Sequence, residues 1–171
     1  MRILGIDPGL AIVGYGVLDC GENSMKLVAM GASRTPAGVD VSDRIVMVYD
    51  DMCELIETYK PDCLSCEELF FNTNQKTAIA VAEARGAIIL AAKKHGVDFY
   101  EYTPLQVKQS VVGYGRADKK QVQEMVKLIL NMKEAPKLDD TADAIALAIT
   151  HMHASHSSIS NYFNQQKKKL L

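Results

Sequence analysis

Ile3-Leu4-Gly5-Ile6-Asp7-Pro8-Gly9 is the stretch that decides the fold. An almost wholly apolar run of this kind reads as a strand buried on both faces. Pro8-Gly9 ends it with a turn that leaves Asp7 at the strand's tip. An Asp before Pro-Gly hydrogen-bonds its own turn in many loops, so Asp7 alone is either a turn cap or one member of a group of acids. Other carboxylates able to reach the same sheet edge would decide between the two.

Working outward, Val13 to Asp19 alternates in strand fashion, a turn at Gly21-Glu22-Asn23 follows, and a third strand runs from about Lys26 to Arg34. Tight connections make these three an antiparallel meander. Gly14 and Gly16 are expected to leave room above Asp7 for a phosphate to approach. Ser42 to Tyr59 carries apolar residues at helical spacing and stops before Pro61, which predicts a crossover helix. Cys63-Leu64-Ser65-Cys66-Glu67 then reads as a central strand that, like the first, finishes on acids, Glu67 and Glu68. A strand entered through a helix usually runs parallel to the one before it, which puts Glu67 at the same edge as Asp7. In the following loop, one of Phe70 and Phe71 is expected in the core and the other free to stack on a base.

Gln75 to His95 is apolar around most of its circumference, which suits either a homodimer interface or a helix deeply buried in the monomer. Val97 to Tyr102 reads as a further strand. Thr103-Pro104 caps a short helix through about Val111, Gly113 to Arg116 forms a loop, and Asp118 caps a helix through about Met132. The last informative run, Leu138 to Ile149, is a helix with acids at its start. Asp140 and Asp143 are three apart and project side by side, and Ala144 and Leu147 continue that face toward the core. Acids in a first helical turn often only cap and favour the dipole. The alternating alanines allow close approach to the sheet. Residues 1–155 are expected to form one domain, with 156–171 a polar, basic, mobile tail.

The 171 residues suit a single core. Hydrophobic residues at 48% and charged residues at 23% are those of an ordinary soluble protein. No apolar run approaches the roughly 20 residues needed to span a bilayer, and the N-terminus lacks the pattern of a signal peptide. A cytoplasmic location with no membrane association is the expectation. Cys63 and Cys66 alone have a metal-like spacing, but residues three apart on a strand face opposite sides, so the thiols read as small reduced core residues. Net charge is −2, yet from Pro104 to Lys133 six basic residues stand against two acids, so this segment carries +4 and the remainder −6. A basic flank beside an acidic centre suits a protein that holds phosphates with one and cations with the other.

Asp7, Glu67, Asp140 and Asp143 converging at one edge would repel one another, and such a cluster must take up protons or bind cations. Oxygen-only ligands favour hard ions such as Mg²⁺ or Mn²⁺. Four acids suit two metals, one activating a water and the other stabilising the leaving oxygen of a phosphodiester. Lys108 and Lys119, with Arg116 and Lys120, would hold the polyanion.

ILGIDPGL followed by GYGV, the run CEELFFNTN, the segment VKQSVVGYGRADKKQVQ and the helix DDTADAIALAITHMH together resemble, in order and spacing, the motifs of the RuvC Holliday-junction resolvases. The resemblance covers residues 2 to 155. It implies an α/β, RNase H-like fold with a five-stranded mixed sheet, the first three strands antiparallel, flanked by helices. It also implies a homodimer that resolves four-way DNA junctions in recombination and repair, nicking two opposed strands with two Mg²⁺ per subunit, for which Mn²⁺ substitutes. By position, the metal-binding acids are Asp7, Glu67, Asp140 and Asp143. Phe70 matches the aromatic that enters the junction centre, and Lys108 and Lys119 match basic residues near the scissile phosphate. Glu68 and Asp139 are neighbouring acids, and register with the flanking motifs favours 67 and 140. The RuvA and RuvB branch-migration proteins are implied partners.

Three other readings compete. One is an RNase H-like nuclease acting on structured RNA. Another is an ATP-binding protein of the actin and sugar-kinase type, which needs roughly twice this length, and the third is a junction-binding protein without activity.

Overall fold

The computed structural model describes residues 1–22, 24–69 and 75–156. Phe70 and Phe71 lie outside the described residues, as do residues 157–171 of the expected tail. Strands β1 (Arg2–Asp7), β2 (Ile12–Cys20) and β3 (Met25–Arg34) form the meander, α1 (Val41–Tyr59) crosses over, and β4 (Cys63–Glu67) follows. After them come α2 (Gln75–Lys94), β5 (Asp98–Tyr102), α3 (Pro104–Val112), α4 (Lys119–Ile129) and α5 (Asp139–His156). The sheet is five-stranded and mixed, in the order β3-β2-β1-β4-β5. β1 pairs antiparallel with β2 and parallel with β4, and β4 pairs parallel with β5. The tips of β1 and β4 therefore share an edge, as their matching apolar-then-acid endings require.

Alternation along the strands divides the core in two. Leu4, Ile6, Val17, Leu64 and Cys66 pack with α1 and α2 on one face. Ile3, Leu18 and Cys63 pack with α3, α4 and α5 on the other. Cys63 and Cys66 thus belong to opposite faces, and burial pushes each thiol up to about 12. Neither can share an ion with the other.

The caps are those the sequence predicts. Thr103 and Gln106 form a capping box with Pro104 at the first position of α3, and Asp118 and Gln121 form another on α4. The end of α4 differs from expectation. The helix stops at Ile129, with Leu130 as its cap and Asn131 at φ 49°. Leu130 and Met132 continue the apolar pattern from a turn, because they still pack against the core.

Two sequence expectations are corrected. Gly14 and Gly16 do not make room for a phosphate. A Cβ on Gly14 would run into the backbone of Asp140, and one on Gly16 into Ile145. Gly5 does the same against Ala144. The glycines let α5 lie directly on the sheet, where its own Ala142, Ala144, Ala146 and Ala148 are wholly buried. Nor is α2 buried all round. Ala84, Ala87, Ile88, Ala91 and Ala92 face the core, while Ile79 and Leu90 are more than half exposed. A Cβ on Gly86, in the same stripe, would meet nothing.

Beneath the end of β5, the Tyr102 hydroxyl and His151 Nδ1 are 2.7 Å apart, and the Tyr100 ring stacks at 4.3 Å from the imidazole. Burial lowers His151 to about 4 from its usual 6.5, so the ring is neutral and shares one hydrogen bond with the tyrosine hydroxyl. Removing that partner by Tyr102→Phe is expected to cost about 1–3 kcal/mol in denaturant unfolding. Because the folded-state value lies below the unfolded one, the stabilisation is complete above pH 6.5 and is lost as pH falls toward 4. A His151→Gln variant should flatten that part of the stability profile.

Candidate active site

The parallel register sets Asp7 and Glu67 on neighbouring strand tips and on the face covered by α5. Ser65, two residues before Glu67, donates to the Leu147 carbonyl at 2.8 Å on that same face. Opposite Asp7 in the ladder is Gly14, over which the first turn of α5 rests. That contact, with Thr141 Oγ1 donating to the Gly31 carbonyl at 3.1 Å, fixes where α5 begins. Asp140 and Asp143 are carried in its first two turns.

Asp7, Glu67 and Asp143 line one cleft of about 300 Å³ with Lys108, Lys119 and Leu147. Pro104, Val107 and Val122 give it an apolar wall from α3 and α4. Asp140 stands at its margin, close enough for its charge to act on both Asp7 and Asp143. Three of the four acids predicted from the sequence thus line one cleft with two of the four predicted cations, and the fourth, Asp140, reaches it through its charge. Arg116 and Lys120 are exposed and do not line the cleft. The apolar wall carries no sequence motif and was not foreseen. The helical period of Val107 and Val122 marks them only as core.

Glu68 does not line this cleft but lines an adjoining hollow with Pro8, Leu69 and Val81, which Asp7 and Glu67 also line. Asp139 is held by Gln123 Nε2 at 2.7 Å. Asp139 is still close enough for its charge to act on Asp143 and Lys119, so both neighbouring acids stand beside the cluster.

Electrostatics mark the cleft. Burial, then the charges of Asp143, Glu67 and Asp140, raise Asp7 from the ordinary 3.8 to about 8. Burial, then Asp143, raises Glu67, and burial raises Asp143 against the opposing pull of Lys119. Lys119 Nζ donates to Asp143 Oδ2 at 3.3 Å, and this neighbour holds the ammonium above its ordinary value. Desolvation and like charge are the two ways a carboxylate cluster resists ionisation, and a cation relieves both. Among the described residues no three acid, imidazole or thiol groups stand at closed ligand spacing. Asp7, Glu67 and Asp143 converge on one cleft without closing to that spacing. An all-oxygen donor set of this charge fits a hard divalent ion and not zinc.

The sequence model of the family described as crossover junction endodeoxyribonuclease RuvC matches residues 3–151. A crossover junction endodeoxyribonuclease RuvC from Brevibacillus brevis is 57% identical over 151 residues, covering 88% of this chain and 91% of that protein. One from Alkaliphilus metalliredigens is 53% identical over 156 residues, covering 91% and 95%. Among solved structures, Thermus thermophilus RuvC in complex with Holliday junction substrate is 36% identical, with a TM-score of 0.84 over 88% of this chain and 92% of that one. The mixed sheet is therefore the RNase H-like sheet of these resolvases, and the chain belongs to the RuvC family of crossover junction endodeoxyribonucleases.

Proposed function

We propose that this chain is a metal-dependent endonuclease that resolves four-way DNA junctions during recombination and repair, cutting at the cleft between Asp7, Glu67, Asp140 and Asp143. The observation that carries the site assignment is the convergence of Asp7, Glu67 and Asp143 on one cleft that Lys108 and Lys119 also line, with Asp7 buried among like charges. A buried like-charged cluster in which a single lysine, Lys119, bonds Asp143 keeps an excess of negative charge that suits cations. The four carboxylates would hold two Mg²⁺ per subunit, with Mn²⁺ able to substitute. When bound, such ions supply an activated water and neutralise the oxygen that leaves the phosphodiester.

The remaining work is done by the chain. Lys108 and Lys119, which line the cleft from α3 and α4, hold the phosphates flanking the cut, with Lys119 exchanging Asp143 for the incoming backbone. The apolar wall of Pro104, Val107 and Val122 excludes bulk water from the acid side, which strengthens each charge interaction. Exposed Arg116 and Lys120 lie outside the cleft lining and attract the DNA backbone around it. Phe70 is assigned to the junction centre from the family motif alone. The stripe of Ile79, Gly86 and Leu90 on α2 supports a homodimer, since two copies of a stripe with a glycine at its middle can approach closely. Two subunits would place two clefts on the two opposed strands. RuvA and RuvB are proposed as partners, and the cytoplasm as the location. No helix among the described residues is long and apolar enough to cross a membrane.

Lys119→Ala is expected to weaken junction binding and lower the slope of log affinity against log salt by about 1, as loss of one phosphate contact does. Binding titrations at several salt concentrations measure it. The proposal as a whole is tested by offering the chain a four-way DNA junction, a linear duplex and a structured RNA with Mg²⁺. Paired nicks in the junction alone support it, and preferential cutting of the RNA overturns it in favour of the RNA nuclease.

A further inference from the structure

The α3–α4 connection carries residues that the proposed function leaves without a role. It joins the helix bearing Lys108 to the helix bearing Lys119, so both its ends lie on walls of the acid cleft. Gly113, at φ 91°, turns the chain sharply at the end of α3. The loop then folds back along that helix. A Cβ on Gly115 would run into Leu105 Cδ1 and lie against Gln109 Cγ. Leu105 is in the first turn of α3, next to Pro104 of the cleft wall. Ala117, two residues on, is buried in the core at 1% exposure. Tyr114 therefore sits on a loop pinned to the first turn of α3, whose Pro104 lines the cleft, and leading into α4, whose Lys119 lines it too.

Its exposure is nevertheless large. Tyr114 is 46% exposed and Leu105, against which the neighbouring Gly115 packs, 54%, in a stretch that also presents Arg116, Lys119 and Lys120. An aromatic ring on a pinned loop, flanked by Arg116 and within a few residues of Lys119, has the two elements of single-strand recognition: a stacking platform and charge that tracks the backbone. A second copy of this chain would bring like charges together at this rim, whereas a polyanion neutralises them.

We propose that Tyr114, backed by Leu105, is a further substrate-binding residue on which one base next to the cut strand position stacks, with Arg116 holding the adjoining phosphate. This rests on the reading of the cleft as a junction nuclease. Stacking needs the ring and not the hydroxyl, and it is indifferent to base identity because every base has a π-face.

The test uses the full chain and a synthetic four-way DNA junction in EDTA, with 2-aminopurine placed in turn at the nucleotides around the cut position. Tyr114→Ala is expected to weaken binding about tenfold, within the range that loss of one stacked base produces. It should also abolish the 2-aminopurine change at one position. Tyr114→Phe should match wild type, Tyr114→Leu should behave as the alanine variant, and none should shift the melting temperature or the oligomeric state. Arg116→Ala should lower the salt slope by about 1 while the Tyr114 variants leave it unchanged. Wild-type binding by Tyr114→Ala, full rescue by Tyr114→Leu, or a changed oligomeric state overturns the inference. Failure of the wild-type chain to bind the junction at all overturns the underlying function, which separates the two failures.

Discussion

Asp7→Asn is expected to eliminate Mg²⁺-dependent cleavage of a four-way junction while leaving junction affinity within a few-fold of wild type. Asp7 contacts the proposed cations and not the phosphates that give affinity. The loss should exceed the roughly 10–100-fold that follows removal of a mere outer support of a metal ligand. The same substitution has an opposite effect on stability. Asp7 is raised from 3.8 to about 8 in the folded chain, so its contribution to stability is complete below about pH 4 and is lost as pH rises through 8. Asn mimics the protonated form. Above pH 8 the metal-free variant should be more stable than wild type, by up to a few kcal/mol, and at pH 4 the two should be alike. Thermal unfolding in EDTA across that range measures it. A catalytic residue whose removal stabilises the protein is the behaviour of a site assembled against its own repulsion.

Gly14→Ala is expected to be the most damaging single-methyl change near the cleft. The added Cβ would occupy the position of the Asp140 backbone, so the first turn of α5 must lift. Overpacking of this sort typically costs about 1–3 kcal/mol. The catalytic effect should be larger, because displacement by about an ångström can cost on the order of 10²-fold, and here two acids move together. Junction affinity should fall much less, since Lys108 and Lys119 are carried by α3 and α4. Equilibrium unfolding and cleavage kinetics on the same preparation separate the two losses. An unchanged stability would contradict the close packing of α5 on β2.

The interpretation of Gly14 shows what a sequence leaves open. Its place on the strand opposite Asp7 was legible, and so was the need for something small there. What occupies the space was not, because alternation says which face a residue takes and not which element covers that face. In α2 the difficulty is different. Alanines around the whole circumference give no moment from which to choose a face, and only packing against α1 shows that Ile79 and Leu90 are left outside. Asp7 and Glu67 were legible because each ends a strand at one sheet edge, and Asp140 and Asp143 because they open a helix, though only the packing of α5 on Gly14 places that helix over the same edge. Pairings between distant positions, such as Lys119 with Asp143 or Tyr102 with His151, leave no local trace in the chain.

The central claim is that the carboxylate cleft around Asp7 cuts junction DNA with divalent cations. Incubation of the purified chain with an end-labelled synthetic four-way junction, with Mg²⁺ and with EDTA, tests it most directly when the products are read on a denaturing gel. Symmetric nicks in two opposed strands, present with Mg²⁺ and absent with both EDTA and Asp7→Asn, are the expected result. Nicking that persists in EDTA, or that Asp7→Asn leaves intact, would contradict it.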